Sequence, residues 1–192
     1  MAMTLEEHKE RNARSKKMLL WFAIISIIMV FAGLTSGFIV SKSRPDWKEL
    51  DLPSAFLTST LVILASSVTF HLAKKAIQKG NRNLTTIYLL STLVLGILFV
   101  FFQFEGFNAL IATGIYPTGS TSTITTQFLY AFVVVHLTHL AAGIISLLIV
   151  IYNHFKQKYN ATQTLGIELG AMFWHFLDFL WLYLFLFLYL FK

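Results

Sequence analysis

The chain has 192 residues, 56% of them hydrophobic and only 12% charged, with a formal net charge of +6 and no cysteine. Such a composition excludes an ordinary soluble domain, and the missing thiols exclude disulfides and thiolate-held copper, zinc or iron–sulfur centres. The basic residues stand beside apolar segments rather than in one basic and aromatic patch, so they read as membrane topology signals and give no nucleic-acid surface.

Residues 1–17 form a charged arm in which Glu6, Glu7, Glu10, Lys9, Arg11 and Arg14 are closely mixed, as in a solvated helix end at a membrane surface. The first apolar segment, Met18 to Val40, is too long for the core of a signal peptide and is expected to stay attached as a transmembrane helix. Gly33 and Gly37 stand four apart in it, a pattern that lets another helix approach. Ser41 to Ser54, with Pro45 and Pro53, makes the first loop.

The second segment, Ala55 to Ala73, places Ser59, Ser66 and Ser67 on one face toward other helices, and His71 lies near its far end. Lys74 to Asn83 is a short basic turn hinged at Gly80. In the third segment, Leu84 to Phe104, the small or polar residues Thr92, Gly96 and Gln103 share a stripe with Phe99, which should pack inward. Glu105 is expected to close that helix at the interface, and Gly106 to Gln127, with Pro117 and Gly119, to form the longest loop.

The fourth segment, Phe128 to Tyr152, carries His136 and His139, followed by Gly143 and Ser146 on nearly the same face. The fifth, Gly170 to Phe191, carries Trp174, Asp178 and Trp181 at i, i+4 and i+7, with His175 on the adjoining side. An Asp at a helix centre costs about 2.5–3.5 kcal/mol to insert, so it usually has a partner and a purpose, and His136 or His139 is expected within hydrogen-bonding reach of this face, directly or through water. Together the five segments predict an all-α, polytopic bundle of five transmembrane helices in a single domain, 18–192. Eleven basic residues on the side of the N-terminus against four on the other predict a cytoplasmic N-terminus and an outer C-terminus.

The ionisable residues allow two readings: a structural hydrogen-bonded cluster, or a proton-transfer network. Ligation by His136 and His139 is a weaker reading, because metal-binding bundles usually add several Glu ligands and Glu105 and Glu168 are peripheral. A haem held by His139 and His175 is the further alternative, that of a small membrane electron-transfer protein. No Ser-His-Asp set, phosphate loop or nucleotide fingerprint appears, so no independent catalytic site is expected. A transporter is not supported, since no inverted repeat or paired broken helices are seen.

The run G-I-E-L-G-A-M-F-W-H-F-L-D-F-L-W, Gly166 to Trp181, resembles the signature of subunit III of the haem-copper terminal oxidases, the cytochrome c oxidase family. H-L-T-H-L-A-A-G, His136 to Gly143, and the L-G-x-x-F-x-x-x-Q stretch, Leu95 to Gln103, accompany it. Five helices are similar to the short prokaryotic form. The resemblance implies a multi-pass plasma-membrane subunit of a proton-pumping oxidase that binds no haem, copper or other metal itself. It implies docking against the catalytic subunit I, which carries haem and copper, and contact with other oxidase subunits, stabilisation of subunit I, support of proton uptake, and bound phospholipid. A quinol oxidase subunit III is the near alternative. Carried over by position, His136, His139, Glu168, Trp174, His175, Asp178 and Trp181 are the polar network or proton-support residues, and Gly33, Gly37, Gly96 and Gly143 the packing glycines. Ile27 stands after Ile24, Ile25 and Ser26, where the family often has a carboxylate.

Overall fold

The computed structural model describes residues 5–45, 47, 52–114, 116, 118–119, 122–160 and 163–191, although nothing is described of the Leu5 and Lys9 side chains. The described residues form five helices: α1 Leu5–Ser41, α2 Ser54–Gln78, α3 Arg82–Ala112, α4 Ile124–Phe155 and α5 Leu165–Leu190. All five are long and apolar enough to cross a membrane. Among the described residues there is no strand.

Several boundaries differ from those expected. The charged arm is continuous with α1, so one helix of 37 residues, about 55 Å long, exceeds the hydrocarbon core of about 30 Å and carries the arm beyond it. Glu6, Glu7, Arg11, Lys16 and Lys17 are exposed, and Arg14 and Glu10 stand 3.6 Å apart as an exposed i,i+4 pair. Glu105 does not end α3, which continues to Ala112, because Gly106, Phe107 and Leu110 still bury an inward face. The predicted longest loop therefore shrinks to the stretch between Ala112 and Ile124. Its Pro117 lies outside the described residues.

α2, α3, α4 and α5 close a four-helix ring through α2–α3, α3–α4, α4–α5 and α5–α2 packing, and α1 lies outside it against α4 and α5. The interior is built from aromatic and branched side chains, with Ile63, Phe70, Phe99, Phe132, Trp174 and Leu184 fully enclosed. The exterior is apolar too: Phe22, Met29, Leu61, Val94, Ile149 and Phe179 are all exposed. Apolar residues on both faces, with Ser59, Ser66, Thr92 and Gln103 kept inside, suit a lipid solvent in which every polar group must find an internal partner.

Glycine decides where helices come closest. A Cβ on Gly96 would stand 2.8 Å from the far edge of the Trp174 indole, and one on Gly143 would stand 2.7 Å from Leu177 Cδ1. A Cβ on Gly37 would stand 3.4 Å from the Phe128 ring, whereas one on Gly33 would meet nothing within 4 Å among the described residues. Close neighbours on another helix are thus found at Gly37, Gly96 and Gly143, and Gly33 looks outward because α1 has only one partnered side. Ile27, in the place of the carboxylate common in the family, is buried in the apolar core.

Two turns close the end of the bundle that carries the basic residues. At the α2–α3 turn, Gly80 takes φ +74, its N–H bonds the Ile77 carbonyl and the Asn81 N–H bonds that of Ala76. This is a glycine-terminated helix end, and Asn81 Oδ1 then accepts from Leu84 N to start α3. After α4 the same pattern uses Gln157 at φ 56, with Gln157 N on His154 O and Lys158 N on Asn153 O. A side chain in the left-handed region carries a steric cost that glycine avoids. Gln157→Gly is therefore expected to stabilise the protein by about 0.5–1 kcal/mol, partly offset by added freedom in the unfolded chain. Thermal denaturation of the purified protein would check this, and a lower midpoint would contradict it. Nearby, burial raises the Tyr159 hydroxyl above its ordinary pKa against a weaker opposing bond from Asn153, and Arg82 Nη2 donates to the Tyr159 carbonyl at 3.0 Å.

Candidate functional site: the polar seam between α2 and α5

The hydroxyls of α2 form two adjacent rows, Ser59 with Ser66 and Thr60 with Ser67, each pair separated by seven residues and so facing one way. α5 meets them with an antiparallel row of its own. Trp181 Nε1–H donates to Thr60 Oγ1 at 3.0 Å, and Trp174 Nε1–H donates to Ser66 Oγ at 2.8 Å. His175 Nδ1 and Ser67 Oγ share a bond of 2.6 Å whose donor depends on the imidazole tautomer. On its other side α2 binds α3: Gln103 Nε2–H donates to Ser59 Oγ at 2.9 Å, and Thr69 and Thr92 hydroxyls meet at 2.8 Å. Thr92, Phe99 and Gln103 are completely buried, and Gly96 is buried with them, so the expected inward stripe of α3 is present.

Asp178 lies in this seam between the two tryptophans, 2% exposed, and neither carboxyl oxygen has a hydrogen-bond partner among the described residues. The register set by the neighbouring bonds puts Ile63, which has no polar side-chain atom, at its level of α2. The Ser67 hydroxyl stands near enough to act on the carboxyl but does not meet it in hydrogen-bond geometry. Desolvating such a group without a partner is costly.

The histidines of α4 do not complete the seam. His136 is fully buried, its ring packed 5.1 Å from that of Trp181 and 6.0 Å from that of Phe99, with no partner for either nitrogen among the described residues. His139, half-buried, turns Nδ1 to its own helix's Val135 carbonyl at 2.8 Å and lies beside Phe31. A direct hydrogen bond from either to the polar face of α5, expected from the cost of an unpaired Asp178, is therefore absent. His136 instead supports Trp181 by ring packing. Glu168 stands apart in the first turn of α5, accepting from Thr164 Oγ1 at 2.8 Å. About 15 Å of helix separates it from Asp178.

His136, His139 and His175 thus have three different sets of neighbours. The described residues contain no group of three or more His, Cys, Asp or Glu suited to a metal ion. Sequence reasoning missed Thr60 and gave His71 no role. The Thr60–Ser67 spacing of seven was available as a signal. His71 is exposed, with its ring 6.3 Å from that of His175. A further bond it missed, Thr86 Oγ1 to His154 Nε2 at 2.8 Å, ties α3 to α4.

A family model described as cytochrome c oxidase subunit III matches residues 4–192. The cytochrome c oxidase subunit 3 of Alkalihalophilus pseudofirmus is 28% identical over 190 residues, covering 93% of this chain and 89% of that one. The subunit 3 of Spodoptera frugiperda is 34% identical over 130 residues, covering 66% of this chain and 82% of that one. The cytochrome bo(3) ubiquinol oxidase subunit 3 of Pseudomonas aeruginosa is 28% identical, covering 84% and 78%. With the match running through all five helices and the α2–α5 seam, the chain belongs to the cytochrome c oxidase subunit III family.

Proposed function

We propose that this chain is an accessory subunit of a proton-pumping cytochrome c oxidase in a prokaryotic plasma membrane. It lies with the N-terminus and the basic turns in the cytoplasm and docks against subunit I, which carries the haem and copper. Its own part is to stabilise that subunit and to support proton uptake, with no redox chemistry of its own. The observation that carries this reading is the placement of the Gly166–Trp181 motif: its Trp174, His175, Asp178 and Trp181 all lie on the seam with α2, three of them bonded across it. The Pseudomonas aeruginosa relative favours a quinol oxidase complex as the second reading.

Phospholipid belongs to the same proposal. α1 and α5 enclose an apolar cleft of about 430 Å³ lined by Trp21, Ile28, Phe31, Phe179 and Tyr183, wide enough for acyl chain. Lys16 and Lys17 lie one turn before Trp21, where an anionic headgroup would sit.

A tagged chain purified from membranes in mild detergent is expected to bring with it larger polypeptides showing a haem spectrum and copper, together with stoichiometric phospholipid. Purification alone would overturn the subunit reading. A chain that carries its own haem, lost on changing His139 or His175, would replace it with the electron-transfer protein. Because the native chain has no cysteine, single cysteines at Ser122 and Lys158 report orientation directly. Impermeant reagent applied to cells should label Ser122→Cys, and labelling of Lys158→Cys from outside would reverse the topology.

A further inference from the structure

The geometry points to a proton-conducting row that runs from the basic end of the bundle to the buried Asp178 carboxyl through His71, His175 and Ser67. It deepens the proton-uptake part of the function proposed above and rests on it for the use made of the proton. The row itself follows from the positions of four side chains.

His71 and Ser67 are four residues apart on α2, and His175 and Asp178 are three apart on α5, so each pair stacks along one helix face. The helices are antiparallel at this seam, which brings the two faces together in order of depth. His71 is exposed, His175 and Ser67 are half-buried, and Asp178 is enclosed. Polarity and burial therefore change together from the surface inward. The two tryptophans that bracket the row have only an N–H to give, and each spends it on one hydroxyl. They can hold the seam but cannot relay a proton. His175 and Ser67 differ, because each can both donate and accept and their 2.6 Å bond is compatible with either imidazole tautomer.

Transfer balances with one proton in and one bound. A neutral His175 with Nδ1–H donates to Ser67 Oγ, and the Ser67 hydroxyl rotates toward an ionised Asp178. A proton from water at the His71 edge binds His175 Nε2. The Nδ1 proton passes to Ser67 Oγ, and the proton that Ser67 held passes to the Asp178 carboxylate. His175 is left neutral in its other tautomer, and Asp178 holds the proton as an acid, the form that burial without a partner favours. Release runs the same steps backward. From α2, the His71 ring stands 6.3 Å from that of His175 and Lys74 is close enough to act on it by charge, while α4 presents His136 to Trp181 and Phe99, and α1 presents the Thr35 hydroxyl to Tyr183.

The test follows the Asp178 carboxyl itself in the purified complex, held in lipid nanodiscs, by infrared difference spectroscopy on switching from H₂O to D₂O. The acid C=O band is assigned by its loss in Asp178→Asn. In His175→Phe and Ser67→Ala its deuterium shift is expected to slow by about a hundredfold or more, the low end of what a positioned proton-transfer group contributes. His71→Gln, at an exposed position that folding tolerates, should slow it by a smaller factor and keeps the test available should His175→Phe not assemble. Exchange at the native rate in all three variants, or absence of an Asp178 acid band, would overturn the row. Failure of the subunit reading looks different: the chain would purify without partners while the band and its variant-sensitive exchange persisted.

Discussion

Trp174→Ala is expected to cost about 3–5 kcal/mol of stability, the range for removing a large aromatic from a packed interior. The indole is 1% exposed and touches three helices at once: its N–H bonds Ser66 on α2, its far edge lies over Gly96 on α3, and its ring sits against Gly143 on α4. Truncation would therefore open the centre of the four-helix ring and leave a Ser66 hydroxyl without its donor. Denaturation of the purified protein in mixed micelles would measure the loss. A change below about 0.5 kcal/mol, the level of a surface substitution, would mean that the ring closes without this side chain.

The same contact makes a paired prediction. Gly96→Ala puts a methyl 2.8 Å from a rigid indole edge, so an overpacking cost of about 1–3 kcal/mol is expected. Gly143→Ala should cost less although its contact is nominally closer, because Leu177 Cδ1 can rotate away. Gly33→Ala meets nothing and should be neutral or slightly stabilising through helix propensity. Combining Gly96→Ala with Trp174→Phe removes the outer indole edge that the methyl would strike. The double variant should thus be more stable than the sum of the two single effects, a coupling that independent sites would not show.

How far the sequence reaches can be judged from these same residues. Segment length and hydropathy are properties of a helix against lipid, and they placed all five helices, because little else in a bilayer satisfies a backbone. Helix ends were less legible. The α3 end was set at Glu105 on the assumption that a carboxylate marks the interface, but an exposed Glu105 beside buried Gly106 and Phe107 lets the helix run on. The inward stripe of α3 and the serine face of α2 could be read from spacing alone, since periodicity fixes which residues share a face. Which helix a face meets is set by packing in three dimensions. For that reason the pairing of α5 with α2 was not legible, and the histidines of α4 were assigned to Asp178 on cost alone. Cost identifies a group that needs a partner but not the direction from which one comes, and α4 turned out to offer Trp181 a ring rather than Asp178 a bond. The family resemblance named Trp174, His175, Asp178 and Trp181, which lie on one seam, together with His136, His139 and Glu168, which make no bond in it.

Asp178→Leu is expected to separate stability from function. The two side chains have the same number of heavy atoms and the same branching, so the seam keeps its shape while a pair of unpartnered oxygens is removed. An unsatisfied buried polar group costs about 1–3 kcal/mol, and replacement by an apolar group of equal shape is neutral or favourable. The variant should accordingly assemble normally and denature at the same or a higher midpoint. If Asp178 serves proton supply, sustained oxygen reduction by the complex should nevertheless fall. The defect should widen as pH rises, because a stored proton matters most when bulk protons are scarce, and the midpoint of the pH–rate profile should move to lower pH. Asp178→Glu, which keeps the acid one methylene further out, should recover part of the rate while destabilising the packed seam. A complex whose stability and rate fell together, by the same factor at every pH, would make Asp178 a packing residue. Opposite signs for the two measurements would mark a site where burial of an acid is retained at the expense of stability, as functional positions in membrane interiors commonly are.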